Sequence, residues 1–381
     1  MNARVVALPV PDAAPARVAL LGTGTVGRAV WARLAGWQGT ALGARLALAY
    51  VANSRMAALA AAPVAGDVGA LLARASRTHA LEAVDAALGG SGTRIVIDAT
   101  ASEAVADRHP HWLARGVHVV TACKLGQGTS LSRWRAIQAA REAGGTCYGD
   151  SATVGAGLPI LRSLRALQAG GDRIHAIAGV LSGSLAWLFH QYDGLRPFSG
   201  FVREAHAAGY TEPDPREDLS GEDVRRKLLI LARAAGVPLA PADVAVDSLV
   251  PDGLAGLPRA ALDAALPQLD ALLRARYADA WKQGARLRFI ARLQAGGSAR
   301  VGLEALPADD PLAGGGGTDN RVAIWSDRYR AQPLVLQGPG AGADVTAAAL
   351  LDDALAIQAG AAQRHSAEAK NSSIGWARWN A

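Results

Sequence analysis

The stretch from Gly209 to Lys227 reads GYTEPDPREDLSGEDVRRK, so it is rich in carboxylates and ends on a lysine. Its two prolines predict an extended acidic loop before a helix begins. Ser220 suits the N-cap of that helix, with Asp223 at the acidic position of a capping box. Lys227 follows Asp223 at i+4, on the same helix face. Taken alone, this pattern equally indicates a capped surface helix with an exposed Asp–Lys pair.

The same residue types also suit a site for a small substrate that carries both an ammonium and a carboxylate. Glu212 and Asp218 would hold the ammonium. Lys227, partnered by Asp223, would exchange a proton with a hydroxyl or carbonyl oxygen while hydride moves to or from a nicotinamide. A second lysine, Lys124, ends the segment VVTACK, at the strand edge where open α/β sheets bind ligands.

A glycine motif near the start of the chain indicates a dinucleotide site. The sequence GTGTVG follows an apolar run and opens a stretch with helical spacing. In such a motif the first glycine permits a tight turn, the second lets the backbone approach a pyrophosphate, and the third allows close helix–strand packing. The amides at the helix N-terminus favour the negative charge. The residues expected to bind the cofactor here are Gly22, Gly24, Thr25, Val26 and Gly27.

The end of the second apolar run bears on which dinucleotide is preferred. An enzyme that prefers NAD usually has an acidic residue there for the ribose diol, whereas this chain has Asn53, Ser54 and Arg55. A guanidinium pairs with a 2′-phosphate, which a carboxylate would repel. We therefore expect NADP, with NAD possible. The alternative is that Arg55 is only a solvated loop cation.

Short apolar runs separated by helical stretches position these residues. The runs are predicted strands of a parallel sheet in a β/α unit, and they cover 17–21, 46–52, 94–97 and 117–121. From residue 174 the sequence pattern changes. It predicts strands or strand–helix transitions at 174–190 and 286–304, and helices at 221–235, 258–273 and 276–284. A further apolar strand at 333–336 precedes another glycine turn that opens a helix.

These patterns predict an α/β fold with a Rossmann-type dinucleotide-binding domain and an inserted second domain of mixed α+β structure. The first domain is expected to span 1–150 plus 335–360, and the second 151–334. Residues 361–381 are expected to form a loosely held C-terminal tail.

The composition narrows the class of protein. The formal charge is +6 over 381 residues, but the basic residues are scattered rather than grouped with aromatics, so nucleic-acid binding is not expected. Two cysteines are too few for a disulfide framework or a zinc site and suit a reducing cytoplasm. The Pro- and Ala-rich N-terminal leader is a poor signal peptide. No apolar run reaches the roughly eighteen residues of a membrane span.

Beyond these patterns, the chain from about residue 17 to about residue 358 resembles the homoserine dehydrogenases, most closely the dehydrogenase half of the bifunctional aspartokinase–homoserine dehydrogenases. The resemblance rests on motifs in the same order: GTGTVG, ANSR, VVTACK, SATVGAGLP, GVLSGSLAWLF, GYTEPDPREDLSGEDVRRKLLILAR and GPGAGADVTAA. It implies NAD(P)H-dependent interconversion of aspartate 4-semialdehyde and homoserine, on the route to threonine and methionine. It also implies that the second domain, 151–334, serves catalysis and dimerisation, so that the protein is a homodimer. Some relatives add an aspartokinase or regulatory domain, which we do not expect here.

The resemblance also assigns roles to individual residues. It implies Lys227 as the general acid/base, Lys124 as a second active-site lysine, and Glu212, Asp218 and Asp223 as substrate-site acids. The implied further cofactor contacts are Thr100, Ala101, Lys124 and the loop at Gly342. A monovalent metal, typically sodium, would be held largely by backbone oxygens at Ser151, Val154, Ala156 and Leu158.

Two departures from the family pattern affect these expectations. Cys123 replaces the usual Asn before the lysine, and Ser151 stands where many relatives have an acid. The first bears on the orientation of Lys124 and the second on the metal site. Two other functions stay open: a nucleotide-sensing module without catalysis, and a dehydrogenase for a different amino-aldehyde or β-hydroxy amino acid. Intact Lys124, Asp223 and Lys227 argue against the first.

Overall fold

A computed structural model describes residues 14–60, 66–73, 75, 81–294 and 296–379. Most of the N-terminal leader, residues 1–13, therefore lies outside the described part of the chain. The strands are Ala16–Leu21 (β1), Leu46–Ala52 (β2), Ala57–Leu59 (β3), Arg94–Asp98 (β4), His118–Thr121 (β5), Tyr148–Gly149 (β6), Ile174–Val180 (β7), Val244–Val246 (β8), Arg286–Leu293 (β9), Ala299–Leu306 (β10), Asp319–Ser326 (β11) and Leu334–Pro339 (β12).

The α-helices alternate with the strands in the first part of the chain and cluster in the middle. They are Thr25–Gly36 (α1), Val68–Ala73 (α2), Ala83–Leu88 (α3), Glu103–Ala114 (α4), Leu131–Ala143 (α5), Ile160–Ala169 (α6), Gly183–Gln191 (α7), Phe198–Ala207 (α8), Pro215–Leu219 (α9), Glu222–Ala234 (α10), Asp252–Ala255 (α11), Arg259–Ala265 (α12), Asp270–Lys282 (α13) and Ala343–Trp379 (α14).

The first sheet has the order β3-β2-β1-β4-β5-β6. Strands β2, β1, β4, β5 and β6 pair in parallel with their neighbours. Strand β3 pairs antiparallel with β2 at one edge of the sheet. Side chains alternate between two buried faces: Val18 and Leu20 pack in a cluster with α14, whereas Ala19 and Leu21 pack in one that contains Trp112 of α4. Helices thus cover both faces, which confirms the predicted β/α unit.

The second sheet has the order β12-β11-β7-β9-β10-β8 and is mostly antiparallel. One face packs against α6, α7, α8, α10 and α13 in the largest core, which contains Ile177 and Phe289. The other face carries a smaller cluster that includes Ile290 and half-buried Trp325. A second, mixed α+β unit was predicted here, and the structure confirms it.

The return of the chain to the first sheet begins later than expected. Residues from 335 were expected in the dinucleotide-binding domain, but β12 pairs with β11 and so belongs to the second sheet. Helix α14 alone makes the return, with fully buried Leu350 and Leu351. It stays helical to Trp379, across most of the expected tail. No helix in the described ranges has the length and apolarity to span a bilayer.

Candidate active site

The acidic loop before α10, the helix that carries Lys227, is partly helical rather than extended. The Asp214 carboxylate accepts a hydrogen bond from the amide of Arg216 at 3.0 Å and so caps α9. Pro215 fits the first position of α9, because its missing N–H would be unpaired there anyway. The second proline therefore starts a short helix, contrary to the expectation of a fully extended loop.

The start of α10 also differs from the predicted capping box. Ser220 has helical backbone angles as the C-cap of α9, and Gly221 is the N-cap of α10, with φ 76° and no side-chain cap. A Cβ on Gly221 would lie 2.9 Å from Cζ of Phe289, so this turn requires glycine. The Ser220 hydroxyl does accept the Glu222 amide at 3.2 Å. The prediction that Ser220 and Asp223 form a capping box is nevertheless wrong.

One carboxylate joins two lysines at the centre of the site. Lys227 is 8% exposed, and its Nζ lies 2.8 Å from Oδ2 of Asp223 and donates to the carbonyl oxygen of Leu181 at 2.7 Å. The other oxygen of Asp223, Oδ1, lies 3.4 Å from Nζ of Lys124. Lys124 follows β5 of the first sheet, whereas Asp223 and Lys227 belong to α10. The structure thus brings together the three residues predicted to be catalytic.

The surroundings of Lys227 favour proton exchange. Burial lowers the pKa of its ammonium, Asp223 opposes that effect, and the charge of Lys124 reinforces it, so the pKa lies below the ordinary value. Burial raises the pKa of Asp223, but its two lysine neighbours outweigh burial and hold that pKa well below the usual range. Asp223 therefore stays ionised while Lys227 can release its proton more readily than a solvated lysine.

The two remaining predicted acids lie beside this group and differ in what they contact. Asp218 accepts the Ser184 hydroxyl at 2.6 Å on Oδ1 and the Glu212 amide at 2.8 Å on Oδ2. The Glu212 residue itself is exposed. Burial raises the pKa of both carboxyls, and neighbouring acids raise that of Glu212 further. Asp218 thus holds the loop, and Glu212 is the acid best placed to meet a cationic group.

Sequence reasoning missed the hydroxyl pair behind Asp218. Ser182 caps α7 by accepting the Leu185 amide at 3.3 Å, and its Oγ lies 2.9 Å from Oγ of Ser184. The signal available was SGS before a helical run, which indicates an N-cap but not a contact with a distant acid.

The glycine loop has the shape that a pyrophosphate needs. A Cβ on Gly22, at φ 95°, would lie 2.7 Å from the carbonyl oxygen of Ala99, and one on Gly27 would lie 1.9 Å from that of Gly22. A Cβ on Gly24 would meet nothing within 4 Å. Gly24 is the N-cap of α1 without a side-chain cap, so the amides of Thr25 and Val26 remain available to an anion. The structure therefore fits a dinucleotide at this loop.

Of the other predicted cofactor residues, Thr100 lies against this loop. A Cβ on Gly22 would come within 2.9 Å of Cγ2 of Thr100, and Ala101 is exposed beside it. Arg55 is also exposed, and its amide donates to Oδ1 of Asn53 at 2.8 Å. Within the described ranges, no acid forms an ion pair with its guanidinium. Gly342, at φ 130°, lies just before α14. In the chain it follows the last strand of the second sheet.

A buried polar network beneath the cofactor edge was not predicted. Asp98, at the end of β4, is fully buried and accepts hydrogen bonds from the Thr100 amide at 2.9 Å, the Thr100 hydroxyl at 2.6 Å and the Thr121 hydroxyl at 3.1 Å. Its Oδ2 also lies 3.1 Å from Nε2 of His109, whose Nδ1 lies 2.9 Å from the Tyr148 hydroxyl. Asp98 thus ties together the ends of β4 and β5.

The loop predicted to hold a metal is shaped by its backbone. Among the described residues, Ala156 is the one non-glycine residue with positive φ, at 50°, and it follows Gly155 at φ 76°. The carbonyl oxygens of Val154 and Ala156 accept no hydrogen bond from the described part of the chain. Ser151, however, is engaged elsewhere, because its amide and hydroxyl both donate to Asp353 of α14, at 3.0 and 2.9 Å.

Comparison with known proteins finds a matching family model for each of the two parts of the chain. Residues 22–148, which include the glycine loop, match the model of the homoserine dehydrogenase NAD-binding domain, so the first part of the chain is a dinucleotide-binding domain. Residues 159–355, just over half of the chain, match the homoserine dehydrogenase model itself. The chain belongs to the homoserine dehydrogenase family.

The chain matches different shares of the length of individual relatives. The chain is 46% identical over 262 residues to bifunctional aspartokinase/homoserine dehydrogenase 2 of Escherichia coli, which covers 68% of this chain but only 32% of that protein. It therefore spans about a third of such bifunctional relatives. It is 39% identical over 278 residues to the homoserine dehydrogenase of Emericella nidulans, covering 70% of this chain and 76% of the relative.

Solved structures share the fold over most of the chain. A protein of unknown function from Candida auris superposes with a TM-score of 0.82 at 35% identity, covering 90% of this chain and 98% of that one. A hyperthermophilic archaeal homoserine dehydrogenase in complex with NADPH superposes with a TM-score of 0.70 at 20% identity, covering 90% and 97%. The second likeness concerns the fold alone.

Proposed function

We propose that the chain catalyses the NAD(P)H-dependent interconversion of L-aspartate 4-semialdehyde and L-homoserine, a step of threonine, methionine and isoleucine biosynthesis. The observation that carries the proposal is the Asp223 carboxylate held between Nζ of Lys227 at 2.8 Å and Nζ of Lys124 at 3.4 Å. A dehydrogenase needs such a group, because an aldehyde oxygen must gain a proton as its carbon gains a hydride.

The burial and charge of each side chain in the site support a separate role for it. Lys227 is the acid/base: it donates its proton to the aldehyde oxygen during reduction and recovers one during oxidation of the alcohol. Asp223 keeps that ammonium oriented, and Lys124 extends the positive potential toward the edge of the first sheet. Glu212, exposed and surrounded by acids, meets the substrate ammonium, while Asp218 fixes the loop that presents it. The nicotinamide, when bound, supplies or accepts the hydride.

NADP is the cofactor that we propose, with NAD as the weaker ligand. The support is the exposed Arg55 near the end of β2, whose guanidinium has no acidic partner in the described ranges, together with the lack of an acid at positions 53 to 55. A free guanidinium favours a 2′-phosphate. Gly22, Gly24, Thr25, Val26 and Gly27 would hold the pyrophosphate, with Thr100, Ala101 and Gly342 as further contacts.

A monovalent cation, sodium, is proposed for the loop 151–158. The carbonyl oxygens of Val154 and Ala156, which accept no hydrogen bond from the described part of the chain, are suitable ligands. Leu158 would supply a third through its carbonyl oxygen, which also accepts the Ile160 amide at 2.8 Å. Ser151 fits only through its carbonyl oxygen, because its hydroxyl is bound to Asp353. Bound there, the ion would supply no acid, base or redox chemistry but would hold the loop that leads into α6.

We also propose that the protein is a homodimer in the cytoplasm. The face of the second sheet opposite the main core has a groove of about 480 Å³ lined by His175, Ala176, Arg292, Gln294, Trp325 and Arg330. A large aromatic residue among arginines is typical of protein interfaces. Cys123 and Cys147 are free thiols, which fits a reducing compartment.

The test is an assay of purified protein for NADPH oxidation with L-aspartate 4-semialdehyde, beside amino-aldehydes of other chain lengths. We expect turnover with the semialdehyde and, in reverse, with homoserine. Turnover only with another aldehyde would move the assignment to that substrate. NADPH binding without turnover of any aldehyde would point to a nucleotide-sensing module.

A further inference from the structure

Arg233 is a buried cation that carbonyl oxygens, rather than a carboxylate, hold in place. It is 4% exposed and lies on α10, six residues after Lys227. Its guanidinium donates to the carbonyl oxygens of Gln127 at 2.5 Å, Thr129 at 2.8 Å and Leu239 at 2.8 Å. No acid among the described residues forms an ion pair with it. Burial without such a partner lowers the pKa of Arg233 to about 10.

Two of these three acceptors lie on the segment that carries Lys124. This segment connects β5 to α5 and is pressed against α10: a Cβ on Gly128 would lie 2.8 Å from the Lys124 carbonyl oxygen and 2.9 Å from that of Arg226. Arg233 therefore fastens the segment of Lys124 to the helix of Asp223 and Lys227. The planar guanidinium presents its donors in a rigid fork that bonds both carbonyl oxygens at once, whereas an ammonium on a flexible stem does not fix that geometry.

On the basis of the proposed function, we propose that Arg233 is a positioning residue that holds Lys124 against Asp223 in the active site. If this fastening is lost, the segment after β5 moves away from α10 and the Lys124–Asp223 distance grows. Coulomb interactions weaken as the distance increases, so Lys124 then acts less on both Asp223 and Lys227.

The consequence for proton exchange has a definite sign. The charged groups around Lys227 are Asp223 on α10, Asp218 on α9 and Lys124 after β5; of these, Lys124 lowers its pKa and the two acids raise it. Withdrawal of Lys124 therefore raises the pKa of Lys227. Homoserine oxidation needs Lys227 neutral, so its acid limb moves to higher pH. Semialdehyde reduction needs Lys227 protonated, so its alkaline limb also moves to higher pH.

The experiment compares Arg233→Met with a matched variant, Arg288→Met. Arg288 is 7% exposed and donates to three carbonyl oxygens, those of Phe189, Leu287 and Ala313, but it lies on β9, away from the segment of Lys124. We expect Arg233→Met to lower kcat for homoserine by about 10- to 100-fold at neutral pH, since a misplacement near 1 Å costs about this much. Its pH profile should shift upward, with KM changed by less than about three-fold.

Arg288→Met should lower the thermal stability about as much as Arg233→Met does, but it should keep the pH profile of the parent. Arg233→Lys keeps the charge without the planar fork, so it should shift the profile in the same direction by less; it also serves if Arg233→Met fails to fold. In a Lys124→Met background, Arg233→Met should add no further shift. Coinciding profiles for Arg233→Met and the parent would overturn the proposal and leave Arg233 a purely structural residue.

Failure of the proposed function would be recognised separately, because the parent protein itself would then not oxidise homoserine. The positioning role is still measured in that case by NMR titration of the lysine side chains. The titration midpoint of Lys227 should rise in Arg233→Met and stay unchanged in Arg288→Met. An unchanged midpoint in both variants would refute the role whatever the substrate is.

Discussion

Replacing Lys227 by methionine tests the acid/base assignment most directly. Methionine keeps most of the aliphatic stem in its buried position but removes Nζ, and with it the contacts with the Leu181 carbonyl oxygen and with Asp223. Asp223 keeps Lys124 as a partner, so no unpaired carboxylate remains. The change therefore removes the proposed proton donor with little other disturbance of the site.

The expected size of the two effects differs. A positioned general acid contributes about 10²- to 10⁴-fold to a rate, equivalent to about 3 to 5.5 kcal/mol of barrier. The stability cost is the lost hydrogen bond to a buried carbonyl oxygen, about 1–3 kcal/mol, and the relief of a buried charge partly offsets it. Turnover at a temperature well below unfolding should thus fall far more than the folded fraction does.

The assay follows NADPH oxidation with saturating semialdehyde, with nucleotide affinity measured by fluorescence and folding by thermal melting. NADPH affinity should stay within a few-fold of the parent. Lys282→Met is the control, because Lys282 is an exposed lysine whose Nζ lies 3.3 Å from Asp279 at i−3, a pair that contributes less than about 1 kcal/mol. If Lys227→Met turned over as fast as Lys282→Met, the Asp223–Lys227 pair would be only a helix salt bridge.

Three further predictions follow from the same geometry. Asp223→Asn removes the charge that raises the pKa of Lys227, so that pKa falls further and the alkaline limb of semialdehyde reduction, which needs protonated Lys227, should move to lower pH in a rate–pH profile. Arg55→Ala should lower the NADPH-to-NADH ratio of kcat/KM by about ten-fold, the weight of one exposed charge-assisted contact; an unchanged ratio would leave Arg55 a solvated cation. Gly27→Ala should abolish nucleotide binding in a calorimetric titration, because the new Cβ would lie 1.9 Å from the Gly22 carbonyl oxygen; near-normal affinity would contradict the close packing of α1.

Much of the first sheet could be predicted because its signals are local. Leu46–Ala52 was predicted from an apolar run alone, with the bounds that the structure has. The glycine loop was equally readable, since the crowding at Gly22 and Gly27 results from a turn between adjacent elements. Strand, turn and helix each depend on neighbours a few residues away, which is the range over which sequence patterns are informative.

Features that depend on distant residues were not predictable in this way. Ser220 reads as an N-cap, but α9 ends on it and forces helical backbone angles, and the contact of Gly221 with Phe289 on β9 is invisible locally. Asp98 directly follows an apolar run and carries no other signal in the sequence, although it organises both following loops. The carbonyl oxygens proposed for sodium leave no side-chain pattern at all, so only the family resemblance suggested them.

The contact between Lys124 and Asp223 has a consequence for how cofactor and proton chemistry are linked. Lys124 belongs to the sheet whose edge carries the glycine loop, whereas Asp223 and Lys227 belong to the helix packed on the second sheet. A displacement of Lys124 relative to α10 would change the 3.4 Å separation of Lys124 and Asp223 and leave the 2.8 Å pair within α10 intact. Because Lys124 lowers the pKa of Lys227, a short Lys124–Asp223 separation favours proton release from Lys227 and a longer one favours proton retention. The pKa of Lys227 therefore depends on the position of a residue that follows β5 of the first sheet.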